Sequence, residues 1–204
     1  MIKAIIFDLW STVLEKGVSL SGSVHTHFHV PYCQGFVKRY ERAIQRRRWP
    51  SREREAKALL RAFRIPVQRA NIAYVVSMLK RSVSAAKPNP GIPPLLRRLH
   101  RGYRIGLLSN TSSWEEGAVA RAGVRGYFHA MVFSFHVGSL KPAKKPYQAI
   151  LRKLKVRPAE SLFVDDAQEN VIAARKMGMQ AVWYRNTRQL ERELRKRGIR
   201  TEAF

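Results

Sequence analysis

The chain has little cysteine and no long apolar run. Its single cysteine, Cys33, excludes an intrachain disulfide framework. No uninterrupted apolar segment approaches the roughly 20 residues that a bilayer-spanning helix needs, so we predict no membrane partner. The apolar start of the chain is too short for a signal peptide and is interrupted by Asp8. These absences predict a cytoplasmic location.

Acidic residues are also scarce. Only 14 Asp and Glu stand against 39 Lys and Arg, which gives a formal net charge of +25 at pH 7. A positive field of this size attracts anions, either phosphorylated metabolites or nucleic acid. An arginine-rich composition shared by a whole genome would give the same balance. Nucleic-acid binding through the basic surface is therefore kept as a prediction but is not favoured.

Five short apolar runs are spread along the chain, with helical patterns between most of them. Short, fully apolar runs are typical of strands that are buried on both faces of a parallel sheet. The runs are residues 3–7, 103–108, 130–133, 161–164 and 180–183. Strands that alternate with helices predict an α/β fold, a doubly wound parallel sheet with a Rossmann-like core.

Residues 15–86 do not follow this alternation. The segment is basic and carries helical apolar stripes, and Pro88 is the first of several prolines that mark the return to the core. We predict a small helical cap domain of residues 15–86, inserted after the first strand. Residues 1–14 and 87–204 would then form the core domain. Within the cap, the Ser-, Gly- and His-rich segment 21–29 is expected to be a loop.

Polar residues follow the predicted strands. In an open parallel sheet the ligand site lies beyond the carboxyl ends of the strands, so these residues should converge at one edge. They are Asp8, Thr12, Ser109, Asn110, Lys141, Asp165, Asp166 and Asn170. Carboxylates that meet at one edge repel each other unless a cation lies between them, and a hard divalent ion, Mg²⁺, suits oxygen ligands. A Lys and a small hydroxyl can hold phosphate oxygens, and a carboxylate can attack phosphorus to form an aspartyl phosphate.

The order and spacing of these residues resemble the haloacid dehalogenase superfamily, in subfamily I, whose helical C1-type cap follows the first strand. The motifs that carry the resemblance are 7–12, 107–110, 141–142 with Tyr147, and 163–170 with the small residues that follow. The resemblance covers residues 1–14 and about 91–185, and the cap matches no motif. Each motif alone is a weak signal, whereas four motifs in order are a strong one.

The resemblance implies a nucleophile and a metal site. Asp8 would be both the nucleophile and a Mg²⁺ ligand. Asp166 would bind the metal directly, and Asp165 would bind the metal or its waters. The backbone carbonyl of Trp10 would also reach the metal.

The resemblance also implies roles for the remaining polar residues. Ser109 and the backbone of Asn110 would hold the phosphoryl group. Lys141 would neutralise the nucleophile and the group being transferred. Thr12 would position the catalytic loop, and Asn170 would support the acidic pair.

The sequence departs from the family pattern beside the nucleophile. Phosphatases of this family usually carry a second Asp two residues after the first, which protonates the leaving oxygen and then activates water. Trp10 occupies that position here, and Ser11 replaces a usual Gly. General acid–base help contributes roughly 10²–10⁴ in rate. The departure implies slow turnover or a preference for good leaving groups such as acyl phosphates.

Three functions remain open at this level. The favoured one is Mg²⁺-dependent hydrolysis of a small phosphorylated substrate. The second is 2-haloacid dehalogenation, because dehalogenases of the superfamily carry an aromatic residue where Trp10 stands and use a cap arginine, here Arg39, to hold the substrate carboxylate. The pair Asp165 and Asp166 disfavours it, since dehalogenases need no metal. The third is a weakly catalytic protein whose basic cap binds a polyanion.

Overall fold

The strands form one parallel sheet and one small ribbon. The structure is a computed structural model that describes residues 1–201. The strands are β1 (Ala4–Phe7), β2 (Leu14–Glu15), β3 (Lys87–Pro88), β4 (Arg104–Ser109), β5 (Ala130–Phe133), β6 (Ser161–Asp165) and β7 (Gln180–Trp183). The main sheet has the order β5-β4-β1-β6-β7 and all its neighbours are parallel. The chain therefore winds outward on both sides of β1, which confirms the predicted doubly wound fold.

Helices cover both faces of this sheet and build the cap. They are α1 (Leu20–His27), α2 (Phe36–Ile44), α3 (Arg52–Ala62), α4 (Arg69–Ser84), α5 (Ile92–His100), α6 (Ala118–Arg121), α7 (Ser134–Val137), α8 (Lys144–Leu154), α9 (Gln168–Lys176) and α10 (Thr187–Lys196). Short 3-10 turns at Arg125–Tyr127 and Pro158–Glu160 lead into β5 and β6. None of the helices within residues 1–201 is long and apolar enough to cross a membrane.

Each strand of the sheet contributes to two hydrophobic clusters. Ile5 and Phe7 of β1 belong to the cluster that includes α5 and α10, whereas Ile6 belongs to the cluster that includes α8 and α9. Successive side chains of a strand point to opposite faces, so a strand covered on both faces must be apolar at every position. This requirement explains why the strands were visible in the sequence as continuous apolar runs.

The cap is formed by α1 to α4, which share a hydrophobic cluster of their own. The chain enters and leaves this helical segment through β2 and β3, which pair with each other in antiparallel register. Close to this ribbon, a Cβ built on Gly17 would lie 2.5 Å from the carbonyl oxygen of Ala85. The two linkers are thus packed backbone against backbone, beside the predicted domain boundaries at 14/15 and 86/87.

The prediction of a loop over residues 21–29 is wrong. Most of this segment is α1, and the hydroxyl of Ser19 caps the helix by accepting a hydrogen bond from the Gly22 amide. Leu20 and Val24 are buried in the cap cluster. Burial of these two side chains stabilises a helix that the local composition of Ser, Gly and His does not favour.

Candidate active site

A cavity of about 390 Å³ lies at the carboxyl edge of the sheet, under the cap. The core side of its lining comes from the segments that follow β1, β4 and β6 and from Lys141, and the cap side comes mainly from α2 and the start of α1. The predicted residues that line it are Asp8, Trp10, Asn110, Lys141, Asp165, Asp166 and Asn170. The structure thus brings together residues that are up to 162 positions apart, from Asp8 to Asn170.

The ammonium group of Lys141 links two of the carboxylates. Its Nζ donates to Asp8 Oδ1 at 2.5 Å and to Asp165 Oδ2 at 2.6 Å, and all three side chains are buried. A third bond from Nζ reaches the carbonyl oxygen of Leu108 at 3.0 Å. The three donor hydrogens of Lys141 are therefore all used, which fixes its position.

The backbone of Lys141 is held by the side chain of Asn110. Asn110 Oδ1 accepts from the Lys141 amide at 2.8 Å, and Asn110 Nδ2 donates to the Lys141 carbonyl at 3.1 Å. This two-point contact ties the loop after α7 to the end of β4. The contact therefore orients Lys141, which lies on a loop, toward the sheet edge.

Asp165 is held in place at the end of β6. Its Oδ1 accepts from the Ala167 amide at 2.8 Å, and Asn170 Nδ2 donates to both of its oxygens at 3.1 and 3.2 Å. Tyr147 in turn donates its hydroxyl hydrogen to the Asn170 carbonyl at 3.1 Å. Asn170 therefore orients Asp165, and Tyr147 holds the Asn170 backbone from the core side.

The charges of this cluster do not balance. Burial favours the neutral form of Lys141, but Asp165 and Asp8 outweigh that effect and raise its pKa well above the usual range. Burial raises the pKa of Asp8, and Asp165 and Asp166 reinforce that rise against the opposing charge of Lys141. The pKa of Asp166 is raised by burial and by Asp165. One ammonium faces three carboxyl groups, so an additional cation would stabilise their ionised forms.

The donor set fits a hard divalent cation. One carboxylate oxygen from each of Asp8, Asp165 and Asp166 lies within 4.8 Å of the others. Asn170 Oδ1 is buried and accepts no hydrogen bond from any part of the chain between residues 1 and 201. An all-oxygen set of this kind is typical of Mg²⁺ or Ca²⁺ sites. The predicted contribution of the Trp10 carbonyl to such a site stays a prediction.

The loop that carries the nucleophile candidate is held by Trp10. Its indole Nε1 donates to Thr111 Oγ1 at 2.6 Å, and the ammonium of Lys16 lies 4.8 Å from the ring centroid. Ser11 has a φ of 62°, in the left-handed region that glycine adopts at lower cost. The indole therefore forms a wall of the cavity and offers no titratable proton to it.

Thr12 and Ser109 lie beside the cavity and do not line it. Thr12 is fully buried, and its carbonyl accepts from Asn89 Nδ2 at 2.9 Å. Its hydroxyl finds no partner among the described residues. Ser109 ends β4, where its hydroxyl makes a long bond of 3.4 Å to the Asn110 carbonyl. Thr12 thus contributes to the structure of the loop, and Ser109 retains hydrogen-bonding capacity next to the site.

The structure does not bring Arg39 into this cavity. Arg39 is exposed on α2, and its guanidinium carbon lies 5.9 Å from the ring centroid of Phe63. Both residues line a separate groove of about 730 Å³ on the cap. The prediction that Arg39 binds the substrate in this site is therefore corrected, because the helix turns that side chain to a different face.

The cap residues that do enter the cavity were missed in the sequence. Tyr40 and Glu41 of α2 line it, together with Lys16 from the linker and Val37 one turn earlier. Glu41 Oε1 accepts a 3.3 Å hydrogen bond from Asn110 Nδ2. The helical spacing of positions 37, 40 and 41 indicates that these residues share one face of α2. It does not indicate whether that face or another one packs toward the core.

Comparison with known proteins agrees with this arrangement. The family model described as haloacid dehalogenase-like hydrolase matches residues 2–178. The phosphorylated carbohydrates phosphatase of Thermotoga maritima is 26% identical over 187 residues, which covers 89% of this chain and 84% of that protein. The glyceraldehyde 3-phosphate phosphatase of Methanopyrus kandleri is 29% identical over 128 residues, and this chain spans about half of its length, 54%.

Solved structures share the fold. A HAD family enzyme from Bacteroides thetaiotaomicron, determined as a magnesium complex, superimposes with a TM-score of 0.69 at 17% identity, and the match covers 95% of this chain and 98% of that one. The L-2-haloacid dehalogenase of Xanthobacter autotrophicus gives a TM-score of 0.64 at 22% identity, with 98% and 85% covered.

Proposed function

The chain belongs to the haloacid dehalogenase-like hydrolases, and we propose that within this family it is a Mg²⁺-dependent phosphatase that acts on a small phosphorylated compound through an aspartyl phosphate on Asp8. One observation carries the proposal. Lys141 bonds to Asp8 and Asp165 at one edge of a cavity, and Asp166 completes a set of three carboxylates there. Such a set has a surplus of negative charge that suits a metal and a phosphoryl group together.

The proposed reaction has two steps on Asp8. A carboxylate oxygen of Asp8 attacks phosphorus, and the bond from phosphorus to the leaving oxygen breaks. Water then attacks the aspartyl phosphate, releases inorganic phosphate and restores the carboxylate. Lys141 offsets the repulsion between the anionic nucleophile and the anionic substrate throughout.

The residues that would hold Mg²⁺ are Asp8, Asp165 and Asp166, with Asn170 orienting Asp165. Bound there, the ion would supply positive charge next to the phosphoryl oxygens. Ser109 and the backbone amide of Asn110 are proposed to bind those oxygens from the carboxyl end of the neighbouring strand β4. Thr12 is proposed to support the loop from below.

The substrate class follows from size and charge. A cavity of about 390 Å³ suits a small metabolite, and Lys16 adds a cation to its wall. Relatives named for phosphorylated carbohydrates and for glyceraldehyde 3-phosphate support a small phosphorylated substrate. We propose a cytoplasmic setting for this reaction, as the sequence predicts.

Haloacid dehalogenation is the second candidate, and one observation favours it. Trp10 places an aromatic ring at the wall of the cavity, two residues after Asp8. The acidic pair argues against it, because Asp166 would add an uncompensated negative charge next to a substrate carboxylate. The two candidates differ in their need for metal.

The test is phosphate release from p-nitrophenyl phosphate and acetyl phosphate, with Mg²⁺ and with EDTA. We expect activity that EDTA abolishes and that Asp8→Asn lowers by at least about 10³-fold, since the nucleophile is lost. Mg²⁺ should also stabilise the wild-type fold, by about 2.7 kcal/mol at 100 times its Kd, and should do so less in Asp166→Asn.

Three outcomes would contradict the proposal. Halide release from 2-chloropropionate in the presence of EDTA would favour the dehalogenase. Silence with every phosphate ester, with salt-dependent retention of nucleic acid, would favour a polyanion-binding protein. Phosphate release that Asp8→Asn leaves unchanged would place the chemistry elsewhere.

A further inference from the structure

A phosphatase reaction at this site needs a proton that the catalytic loop does not supply. When an alkyl phosphate is cleaved, the leaving oxygen departs as a strongly basic alkoxide, which is a poor leaving group, unless an acid protonates it. The side chain of Trp10 has no titratable proton, and its N–H is directed to Thr111. The acid must therefore come from another wall of the cavity.

Glu41 is a carboxyl group on the cap side of the cavity. Only 14 Asp and Glu occur in the chain, yet four of them line this cavity, namely Asp8, Asp165, Asp166 and Glu41. The first three form the compact set that suits a metal, and Glu41 is not part of it. It is thus a carboxyl group that the metal site does not use.

The position of Glu41 is fixed relative to the nucleophile. Its Oε1 accepts from Asn110 Nδ2 at 3.3 Å, Asn110 also binds the backbone of Lys141, and Lys141 binds Asp8. Glu41 and Asp8 therefore both line the cavity, Glu41 from the cap and Asp8 from the core. A phosphate ester whose phosphorus faces Asp8 would direct its leaving group toward the cap.

The surroundings of Glu41 favour a protonated carboxyl group. Burial raises its pKa, while the bond from Asn110 and the charges of Lys141 and Lys16 lower it, and Glu169 raises it slightly. Lys38 lies on the same helix and pairs with Glu169 at 3.0 Å. The charged groups that act on Glu41 are therefore Lys16 from the linker, Lys141 from the core and Glu169, whose own charge is paired with Lys38.

We propose that Glu41 is the general acid and base of this enzyme, supplied by the cap in place of an aspartate two residues after Asp8. The proposal rests on the phosphatase function proposed above. It also refines the substrate class, because an enzyme with such an acid can cleave alkyl phosphates as well as acyl phosphates.

The proton balance closes over one turnover. Glu41 in its acid form gives its proton to the leaving oxygen as the phosphorus–oxygen bond breaks and Asp8 becomes phosphorylated. The alcohol departs. The Glu41 carboxylate then takes a proton from the water that attacks the aspartyl phosphate, so that inorganic phosphate leaves and both residues return to their starting states.

The experiment compares two leaving groups in wild type, Glu41→Gln and Glu41→Ala. Glycerol phosphate requires protonation of its leaving oxygen, whereas acetyl phosphate releases a stable carboxylate. Gln keeps the acceptor for Asn110 and removes only the proton, so it separates acid catalysis from positioning. We expect Glu41→Gln to lower kcat/KM, which reports only the steps up to departure of the leaving group, by about 10²-fold or more for glycerol phosphate and by less than tenfold for acetyl phosphate.

The pH profile gives a second readout. In wild type, kcat/KM for glycerol phosphate should fall as pH rises and Glu41 loses its proton, and Glu41→Gln should remove that limb. Glu169→Gln is the matched control, because Glu169 is a neighbouring carboxylate outside this cavity, and it should change kcat by less than about twofold.

Each outcome decides the proposal. Equal losses of kcat/KM for both substrates in Glu41→Gln, or a full loss seen only in Glu41→Ala, would mean that Glu41 merely positions Asn110, and would overturn it. Wild type that cleaves acetyl phosphate but not glycerol phosphate would also overturn it, while leaving the phosphatase function intact. Wild type silent with both substrates would overturn the phosphatase function and this assignment together.

Discussion

The molecule contains two clusters of buried carboxyl groups, one at the sheet edge and one between the cap and the core, and they are stabilised differently. The catalytic cluster contains Asp8 and Asp165, joined by the ammonium of Lys141. The second cluster, the glutamate pair, consists of Glu55 on α3 and Glu115 in the segment after β4, both fully buried. Neither member of the pair forms an ion pair with any cation between residues 1 and 201.

Protonation takes the place of a cation in the glutamate pair. Burial raises the pKa of Glu55 to about 8, and Glu115 adds to the rise, while Ser112 and Arg52 oppose it. Ser112 lies near enough to lower the pKa of Glu55. However, neither carboxyl oxygen of Glu55 accepts a hydrogen bond from the described part of the chain. Glu55 is therefore neutralised by a proton at near-neutral pH.

The difference shows that a buried carboxyl group can be stabilised either by a cation or by a proton, and that each solution suits a different role. A carboxylate that must react, or bind a metal, has to stay ionised and needs a cation close by. A carboxyl group that only packs can take up a proton instead. The presence of a partner cation thus separates the functional cluster from the structural one, even though burial raises the pKa of both Asp8 and Glu55.

The largest expected effect comes from removing the cation of the catalytic cluster. Lys141→Met would leave Asp8 and Asp165 buried without a partner, so we expect the free energy of unfolding to fall by about 3–5 kcal/mol in EDTA. Urea denaturation measures this loss, and Lys144→Met, an exposed lysine at the start of α8, is the control. If Lys141→Met lowered the free energy of unfolding no more than Lys144→Met does, the catalytic carboxylates would not depend on a cation for their stability.

The glutamate pair should give the wild type a pH-dependent stability. The pKa of Glu55 in the folded state, about 8, lies above the ordinary value of 4.5. The unfolded chain therefore loses this proton first as pH rises, so this contribution to stability is present below about pH 4.5 and is lost between there and pH 8. We expect the loss to be about 2–4 kcal/mol.

Glu55→Gln isolates that contribution, because it keeps the shape and removes the titration. Urea denaturation at pH 5, 6.5 and 8 should show a shallower fall in stability for Glu55→Gln than for wild type. Glu53→Gln changes an exposed glutamate on the same helix and should keep the wild-type slope. Parallel slopes in all three proteins would show that Glu55 does not hold its proton in the folded state.

The smallest expected effect concerns the backbone conformation of the loop that carries Asp8. The catalytic cluster depends on a loop in which Ser11 has a φ of 62°, whereas Glu55 lies on a regular helix. Ser11→Gly should raise the free energy of unfolding by about 0.5 kcal/mol, since glycine adopts this conformation at lower cost. Ser139→Gly, at a loop position without a positive φ, should lower it instead. The same sign for both variants would contradict the strain at Ser11.

The sheet and its edge could be predicted because they depend on short-range rules. Burial on both faces forces each strand to be apolar throughout, and parallel strands bring their carboxyl ends to one edge. Asp8, Asp165 and Lys141 follow from these two rules, and Lys141 does contact both carboxylates. The predicted strand bounds agree with β5 and β7 at both ends and with the others to within about one residue.

The cap could not be predicted to the same depth. Arg39 and Glu41 are two positions apart on α2, which rotates their side chains by about 200° around the helix axis. The sequence favoured the arginine, and packing turned the glutamate into the cavity. Likewise, α1 forms because the cap cluster buries Leu20 and Val24, not because its own residues favour a helix.

The sequence by itself determined the fold, the family and the order of the polar residues at the sheet edge, because strand periodicity and chain order are local properties. The tertiary structure alone decided which face of α2 meets the core, and therefore that Glu41 enters the cavity beside Asn110. It also decided that Lys141 compensates Asp8 and Asp165, whereas Glu55 takes up a proton. Those choices depend on contacts between residues far apart in the chain, and no local pattern encodes which of those residues will meet.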